Sequence, residues 1–239
     1  MGNAGATSTL ARAVAGKRIR LVHVSSVAAI GPAPGSAPVE EDAEPHPVGH
    51  YGKSKLEAER IVRRLVPDAV IVRPPVVYGP RDTDVYQMLK SISRGWALEI
   101  GGGERWFSAI YVIDLADALV RISTGSEGAG RAYFLAHPKP VSWRGLADTA
   151  ACIMGVKLRH CTIPPFLAHA VGYSAEVWAL MTRKPGIISR DKIAEALKEN
   201  WTCNPSRAAA ELGWVAPTSI ETGLAQALDW YKESGWLKY

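Results

Sequence analysis

The apolar patterning of this sequence predicts an α/β fold built on a parallel sheet, and three features carry the prediction. Two near-continuous β-branched runs, 19–24 and 69–73, have the composition of buried parallel strands. Between them, 51–66 places Ala58, Ile61, Val62 and Leu65 at helical spacing, so they form one buried face. Strand, helix and strand, closed by Pro74-Pro75, make a βαβ unit whose strands pair in parallel.

The other elements follow in chain order. A helix over 8–15 precedes the first strand, and a loop rich in Pro, Gly and acid spans 31–49. Residues 82–94 read as a helix, 98–100 as a short strand before Gly101-Gly102-Gly103, and 107–112 as another strand. Asp114 reads as the cap of a helix with Leu115, Ala118, Leu119 and Ile122 on one face. A strand over 132–136 and a helix over 143–154 come next. Asn204-Pro205 is a cap followed by proline at the first helical position, and Gly213 closes that helix. The last helix starts near Ser219, carries the stripe Ile220, Leu224, Ala227, Leu228 and Tyr231, and stops at Gly235. There is no internal repeat and no low-complexity tract.

Composition narrows the class. With 239 residues, 47% hydrophobic and 21% charged, the chain has the make-up of a soluble globular protein of one or two domains. A net charge of +5 raises the question of nucleic acid. The cations sit beside acids, as in Glu57–Arg60 and Lys192–Glu199, so a mixed solvated surface is expected and no nucleic-acid partner. Cys152, Cys161 and Cys203 lack CxxC spacing, which predicts no metal or disulfide framework and a reducing, cytoplasmic setting. Residues 1–9 have no apolar core of a signal peptide, and no uncharged apolar run of about 18 residues predicts a membrane-spanning helix.

The chemistry centres on Tyr51-Gly52-Lys53-Ser54-Lys55. Tyr51 and Lys55 are one helical turn apart and share a face. A phenol with a pKa near 10 is a poor base at neutral pH, and bringing it to about 7 takes roughly 4 kcal/mol. A nearby ammonium favours the phenolate, so the pair is fitted to pass a proton to or from an alcohol or carbonyl. In isolation, Tyr51 could simply begin a surface helix with solvated Lys53 and Lys55. Ser25 and Ser26 change the balance. They end the first strand, at the carboxyl edge where parallel α/β sheets bind ligands. A hydroxyl there can bond the same substrate oxygen that the tyrosine protonates.

These segments resemble a known family. Val24-Ser25-Ser26-Val27-Ala28-Ala29-Ile30-Gly31 resembles the serine segment of extended short-chain dehydrogenases/reductases, the NAD-dependent epimerase/dehydratase family. His50 to Lys55 resembles their tyrosine–lysine segment, and Val72-Arg73-Pro74-Pro75-Val76-Val77-Tyr78-Gly79-Pro80-Arg81 the strand and loop that follow. The similarity continues through Tyr111-Val112-Ile113-Asp114-Leu115-Ala116-Asp117-Ala118 to 208–214. It implies a partial Rossmann-type doubly wound parallel sheet over 1–135, with 80–112 partly in a second domain. That domain, over 136–239, would be smaller, mostly helical and substrate-binding. By resemblance Ser26, Tyr51 and Lys55 are catalytic, and Lys55 also holds the nicotinamide ribose of NAD or NADP. Ser25 and the backbone at Pro74 and Val76 lie on the cofactor. Ala28, Arg81 and Arg105 are pocket candidates, and no metal is implied. The reaction implied is hydride transfer between a nicotinamide and a carbinol carbon of a small-molecule substrate, coupled to proton transfer through Tyr51.

One family feature is missing. The strand, GxxGxxG turn and helix that bind the pyrophosphate are not found: Gly2-Asn3-Ala4-Gly5 is followed by Ser8 where the third glycine belongs, and no strand precedes it. Residues 1–16 resemble instead the helix before the serine strand, with Asn3 at the family's helix asparagine. The expectation is that one mononucleotide-binding half is absent, that a sheet edge is exposed, and that the chain binds NAD(P)H weakly and aggregates or forms a homodimer.

Substrate signals are mixed. The family's nucleotide-sugar epimerases carry a diphosphate-binding arginine where Phe107 stands; Arg105 lies two residues earlier. The apolar stretch 163–183, with Phe166, Leu167 and Trp178, resembles the 3β-hydroxysteroid dehydrogenase-like branch. It suits covering a lipophilic, steroid-like substrate or peripheral contact with a membrane, against the plainer reading of a buried helix. An oxidoreductase acting on a secondary alcohol or ketone is therefore expected, with a nucleotide-sugar epimerase/dehydratase and a non-catalytic shortened paralogue acting as a binding protein as alternatives. His23 reads as a satisfied core histidine, and the tryptophans, including Trp201, Trp214, Trp230 and Trp236, as packing.

Overall fold

The structure, a computed structural model, describes residues 2–167, 170 and 190–239. The βαβ unit forms as its periodicity predicts. Strand β1 (Val22–Val24) runs into a 3-10 turn (Val27–Ala29), helix α2 (His50–Leu65) crosses over, and β2 (Val70–Val72) pairs with β1 in parallel, His23 opposite Ile71. Strand β7 (Ala132–Tyr133) joins the far side of β2, giving the order β1-β2-β7. Helix α1 (Gly2–Val14) packs along α2, where Ala11, Val62, Val66 and Ala69 share a core. On the other face Val70 and Val72 pack with Leu115 and Ala118 of α4 (Val112–Thr124). Helices on both faces of a parallel sheet make the fold doubly wound and Rossmann-type.

A second core lies beyond this sheet. Strand β3 (Val76–Tyr78) pairs in parallel with β6 (Ala109–Tyr111), while β4 (Trp96–Ile100) pairs with β9 (Arg159–Ile163). Strand β5 (Trp106–Phe107) sits between β8 (Val141–Ser142) and β10 (Asn200–Trp201). Helices α3 (Asp84–Ile92), α5 (Trp143–Met154) and α8 (Ile220–Glu233) close around Leu89, Phe107, Leu146, Leu224 and Tyr231. Helices α6 (Arg190–Ala196) and α7 (Ser206–Leu212) complete the chain order. The stripe expected on the last helix is buried throughout, and Gly213 closes α7 in the left-handed conformation. The Trp230, Trp236, Tyr231 and Tyr86 rings pack on one another, as packing tryptophans should.

Several expectations need correction. Helix α1 starts at Gly2 rather than at 8, and it packs along α2. Strand β1 is short and half-exposed, with Val24 at 40%. It lies at one edge of the sheet β1-β2-β7 among the described residues. Its His23 is not satisfied: Nε2 is buried without a hydrogen-bond partner, and burial pulls the imidazole pKa down. The run 107–112 divides between β5 and β6, with buried Ser108 between them accepting from the Cys203 N–H at 3.0 Å. Asp114 is not a cap but a tie, accepting from the Thr218 N–H and hydroxyl at 3.0 and 2.7 Å. Much of 163–183, Trp178 included, lies outside the described residues. Among those described, no helix is long and apolar enough to cross a membrane.

One interaction was invisible to patterning. Glu59 sits on the buried face of α2 and takes both Nε and Nη2 of Arg73, at 2.9 and 2.6 Å, in a pair whose side chains are 2% and 4% exposed. Arg73 Nη1 also donates to the Glu41 carbonyl at 2.7 Å, pinning the 31–49 loop. The planar guanidinium satisfies three acceptors at once, which is what makes burial of its charge tolerable. Glu59→Ala strands that charge and should lower the unfolding free energy by about 3–5 kcal/mol in urea denaturation. A second prediction concerns Cys203, whose thiol is pushed up to about 12 by full burial, while Cys152 and Cys161 are exposed. A thiol reagent at neutral pH should modify Cys152 and Cys161 in the folded protein and reach Cys203 only on unfolding.

Candidate active site

The site forms where β1 runs out. The Ser25 N–H continues the ladder to the Val72 carbonyl at 2.7 Å, and Ser26 is still extended, with φ −162° and ψ 155°. The Ser26 hydroxyl then caps the 3-10 turn by accepting from the Ala28 N–H at 3.2 Å, and the Val27 N–H donates to the Pro74 carbonyl at 3.0 Å. The serines are thereby held at the carboxyl edge of the sheet. Helix α2 returns to the same place, and its approach is decided by Gly52. A Cβ there would lie 2.2 Å from the Ala28 carbonyl oxygen. Only glycine lets α2 close on the serine turn.

That closure brings Tyr51 to Ser26. The phenol is half-exposed and within hydrogen-bonding influence of the Ser26 hydroxyl, which favours its anion. Lys55, one turn on, donates to the Val24 carbonyl at 3.1 Å, and its ammonium stands 5.8 Å from the centre of the Tyr51 ring. Burial holds the lysine below its usual pKa, with Glu59 opposing. The expectation that Lys55 pulls the phenol down is not met. The phenol lies above its ordinary value, raised first by burial and also by the nearby Glu195 carboxylate, with Ser26 opposing. The lysine is engaged by the end of β1.

The remaining predicted residues divide. Ser25 is buried, and its hydroxyl has no hydrogen-bond partner. Ala28 is buried in the turn with its carbonyl against Gly52. The Pro74 carbonyl is taken by Val27, and the Val76 N–H is given to the Ser108 carbonyl at 3.3 Å. Arg81 is exposed and left-handed, φ 68°, at the turn after β3. Arg105 folds back on the glycine loop, donating to the Gly102 carbonyl at 2.7 Å, and its Nε is buried without a partner. Phe107 is 2% exposed and stacked on Trp143 at 4.2 Å. Sequence reasoning overlooked Gly52, although a glycine inside a helix, costing about 1 kcal/mol relative to alanine, is itself a sign of close packing. It also overlooked Asp191 and Glu195, for which no local signal exists.

Comparison with known proteins places this geometry in a family. Residues 2–170 match the family described as RmlD substrate binding domain, and the chain belongs to it, within the short-chain dehydrogenase/reductase and NAD-dependent epimerase/dehydratase superfamily. A ceramide reductase of Caulobacter vibrioides is 28% identical over 218 residues, 91% of this chain and 64% of that protein. An N-acetyl-alpha-D-glucosaminyl-diphospho-ditrans,octacis-undecaprenol 4-epimerase of Escherichia coli O157:H7 is 26% identical over 80% of this chain and 59% of its own length. The chain thus spans less than two thirds of either relative. In fold it is similar to MoeE5 in complex with UDP-glucuronic acid and NAD, with a TM-score of 0.76, 21% identity and coverage of 97% of this chain and 71% of that one.

Gly52→Ala should force α2 away from Ala28, separate Tyr51 from Ser26 and lower stability by about 1–3 kcal/mol, read by urea unfolding and by loss of contacts between the two side chains in NMR.

Proposed function

We propose that this chain carries the catalytic part of an NAD(P)-dependent oxidoreductase acting on a secondary alcohol or ketone. The observation that carries the reading is the convergence of Ser26, Tyr51 and Lys55 at the carboxyl end of β1. The local residues suit the nicotinamide end of a dinucleotide. Lys55 has two N–H donors beyond the one given to Val24, and the unpartnered Ser25 hydroxyl and His23 Nε2 are buried at this end of β1. The cofactor, when bound, supplies the hydride. Ser26 holds the substrate oxygen. Tyr51, whose raised pKa keeps it protonated at neutral pH, donates to that oxygen, so the resting site is set for carbonyl reduction. Lys55 keeps the ribose and the phenol in register.

A lipophilic, steroid-like substrate is the finer reading. Support comes from the similarity to a ceramide reductase and from Phe107, which fills with a buried ring the position where a diphosphate-binding arginine would stand. The second reading, a nucleotide-sugar epimerase or dehydratase using the same three residues, is favoured by the similarity to an undecaprenol-linked epimerase. The domain division at about 135 belongs to this proposal as well.

Tyr51→Phe should lower turnover about 10²–10⁴-fold, the usual contribution of a general acid, while NADH binding followed by fluorescence persists; unchanged turnover rejects the role. The raised phenol pKa also sets a pH dependence. Carbonyl reduction should be flat through neutral pH and fall only as the pH rises through the phenol pKa, whereas alcohol oxidation should climb with alkaline pH, as read from initial rates in each direction.

A further inference from the structure

Helix α6 reaches across the chain to touch the start of the tyrosine helix. The Asp191 carboxylate accepts from the His50 N–H at 2.8 Å, across 141 residues of sequence. His50 is the first residue of α2, and its N-cap, Gly49, has no side chain to do this. One turn further along α6, Glu195 lies against the same point: a Cβ on Gly49 would stand 2.6 Å from Glu195 Oε1 and 3.3 Å from Asp191 Cβ. Glu195 is itself anchored, because its carbonyl accepts from the Trp201 indole N–H at 3.0 Å. The Glu195 carboxylate and the Tyr51 phenol interact electrostatically, and the carboxylate is partly desolvated with Asp191 beside it.

We propose that Asp191 and Glu195 are positioning residues for Tyr51, the first fixing the start of its helix and the second setting a negative charge against Gly49, two residues before the tyrosine. The assignment rests on Tyr51 being the proton donor. An N-terminal carboxylate cap supplies the acceptor that the first turn of α2 lacks and favours the positive end of the helix dipole. A carboxylate facing a phenol disfavours the phenolate. The groups around the phenol are Ser26 from the serine turn, Lys55 on α2 itself, and Glu195 from α6, with Asp191 and Lys192 acting on Glu195. Ser26 and Glu195 act on the phenol in opposite senses. Helix α6 thereby biases the tyrosine towards donation.

The test uses the full chain labelled with ¹³Cζ-tyrosine, with the Tyr51 resonance assigned through Tyr51→Phe and titrated by NMR. Glu195→Gln should move the Tyr51 midpoint to lower pH, and Glu195→Asp should restore it in part. Gly49→Ala, at an ordinary φ of −102°, displaces the same carboxylate and should shift the midpoint in the same direction. A midpoint unmoved by both Glu195→Gln and Gly49→Ala overturns the role of Glu195. Asp191→Ala should speed hydrogen exchange of the His50 amide, and unchanged exchange overturns the role of Asp191. Because the titration needs no turnover, its failure is distinct from failure of the oxidoreductase reading, which Tyr51→Phe kinetics decides.

Discussion

The contact between Gly52 and the Ala28 carbonyl sets the geometry on which the rest of the site depends. Two separate pieces of chain must meet there: a strand that ends in serines and a helix that begins with a tyrosine. Without a Cβ at 52 they meet at backbone distance. Three further interactions hold the helix in that place. The Glu59–Arg73 pair fixes its middle to the end of β2, Lys55 ties it to the end of β1, and Asp191 holds its first turn. Each uses a charged side chain on a backbone or buried partner, so α2 is located by polar contacts as much as by its apolar stripe.

The electrostatics follow from this placement. Bringing Tyr51 down onto the turn partly desolvates its phenol, and Glu195 adds a like-charge influence, so the proton is held more tightly than in water. Lys55 gives one donor to the Val24 carbonyl, and its ammonium stands 5.8 Å from the centre of the Tyr51 ring. The state of the tyrosine is set by the sum of burial, Ser26 and Glu195.

Much of this was legible in the sequence, for identifiable reasons. Elements with strong local signals came out nearly in place: 143–154 is helical as read, Ser219 caps α8, and Gly213 and Gly235 adopt the left-handed conformation their positions imply. Ser26, Tyr51 and Lys55 could be singled out as candidates because strand end, helix spacing and family resemblance agreed. What escaped were features defined by tertiary contact. The Glu59–Arg73 pair has no local signal, Asp114 looked like a cap while bonding Thr218 from a distant segment, and the short edge strand β1 read as buried because hydrophobicity carries no count of its neighbours. Asp191 is 141 residues from its partner, beyond the reach of any periodicity.

The central claim is that the serine turn and the tyrosine helix converge so that Ser26 and Tyr51 act on each other. A double-mutant cycle on unfolding free energy tests it without cofactor or substrate, using Ser26→Ala, Tyr51→Phe and the pair. Interacting hydroxyls should give a coupling energy of about 0.5–1.5 kcal/mol. Strict additivity of the two substitutions would mean that the side chains do not meet, and would contradict the account.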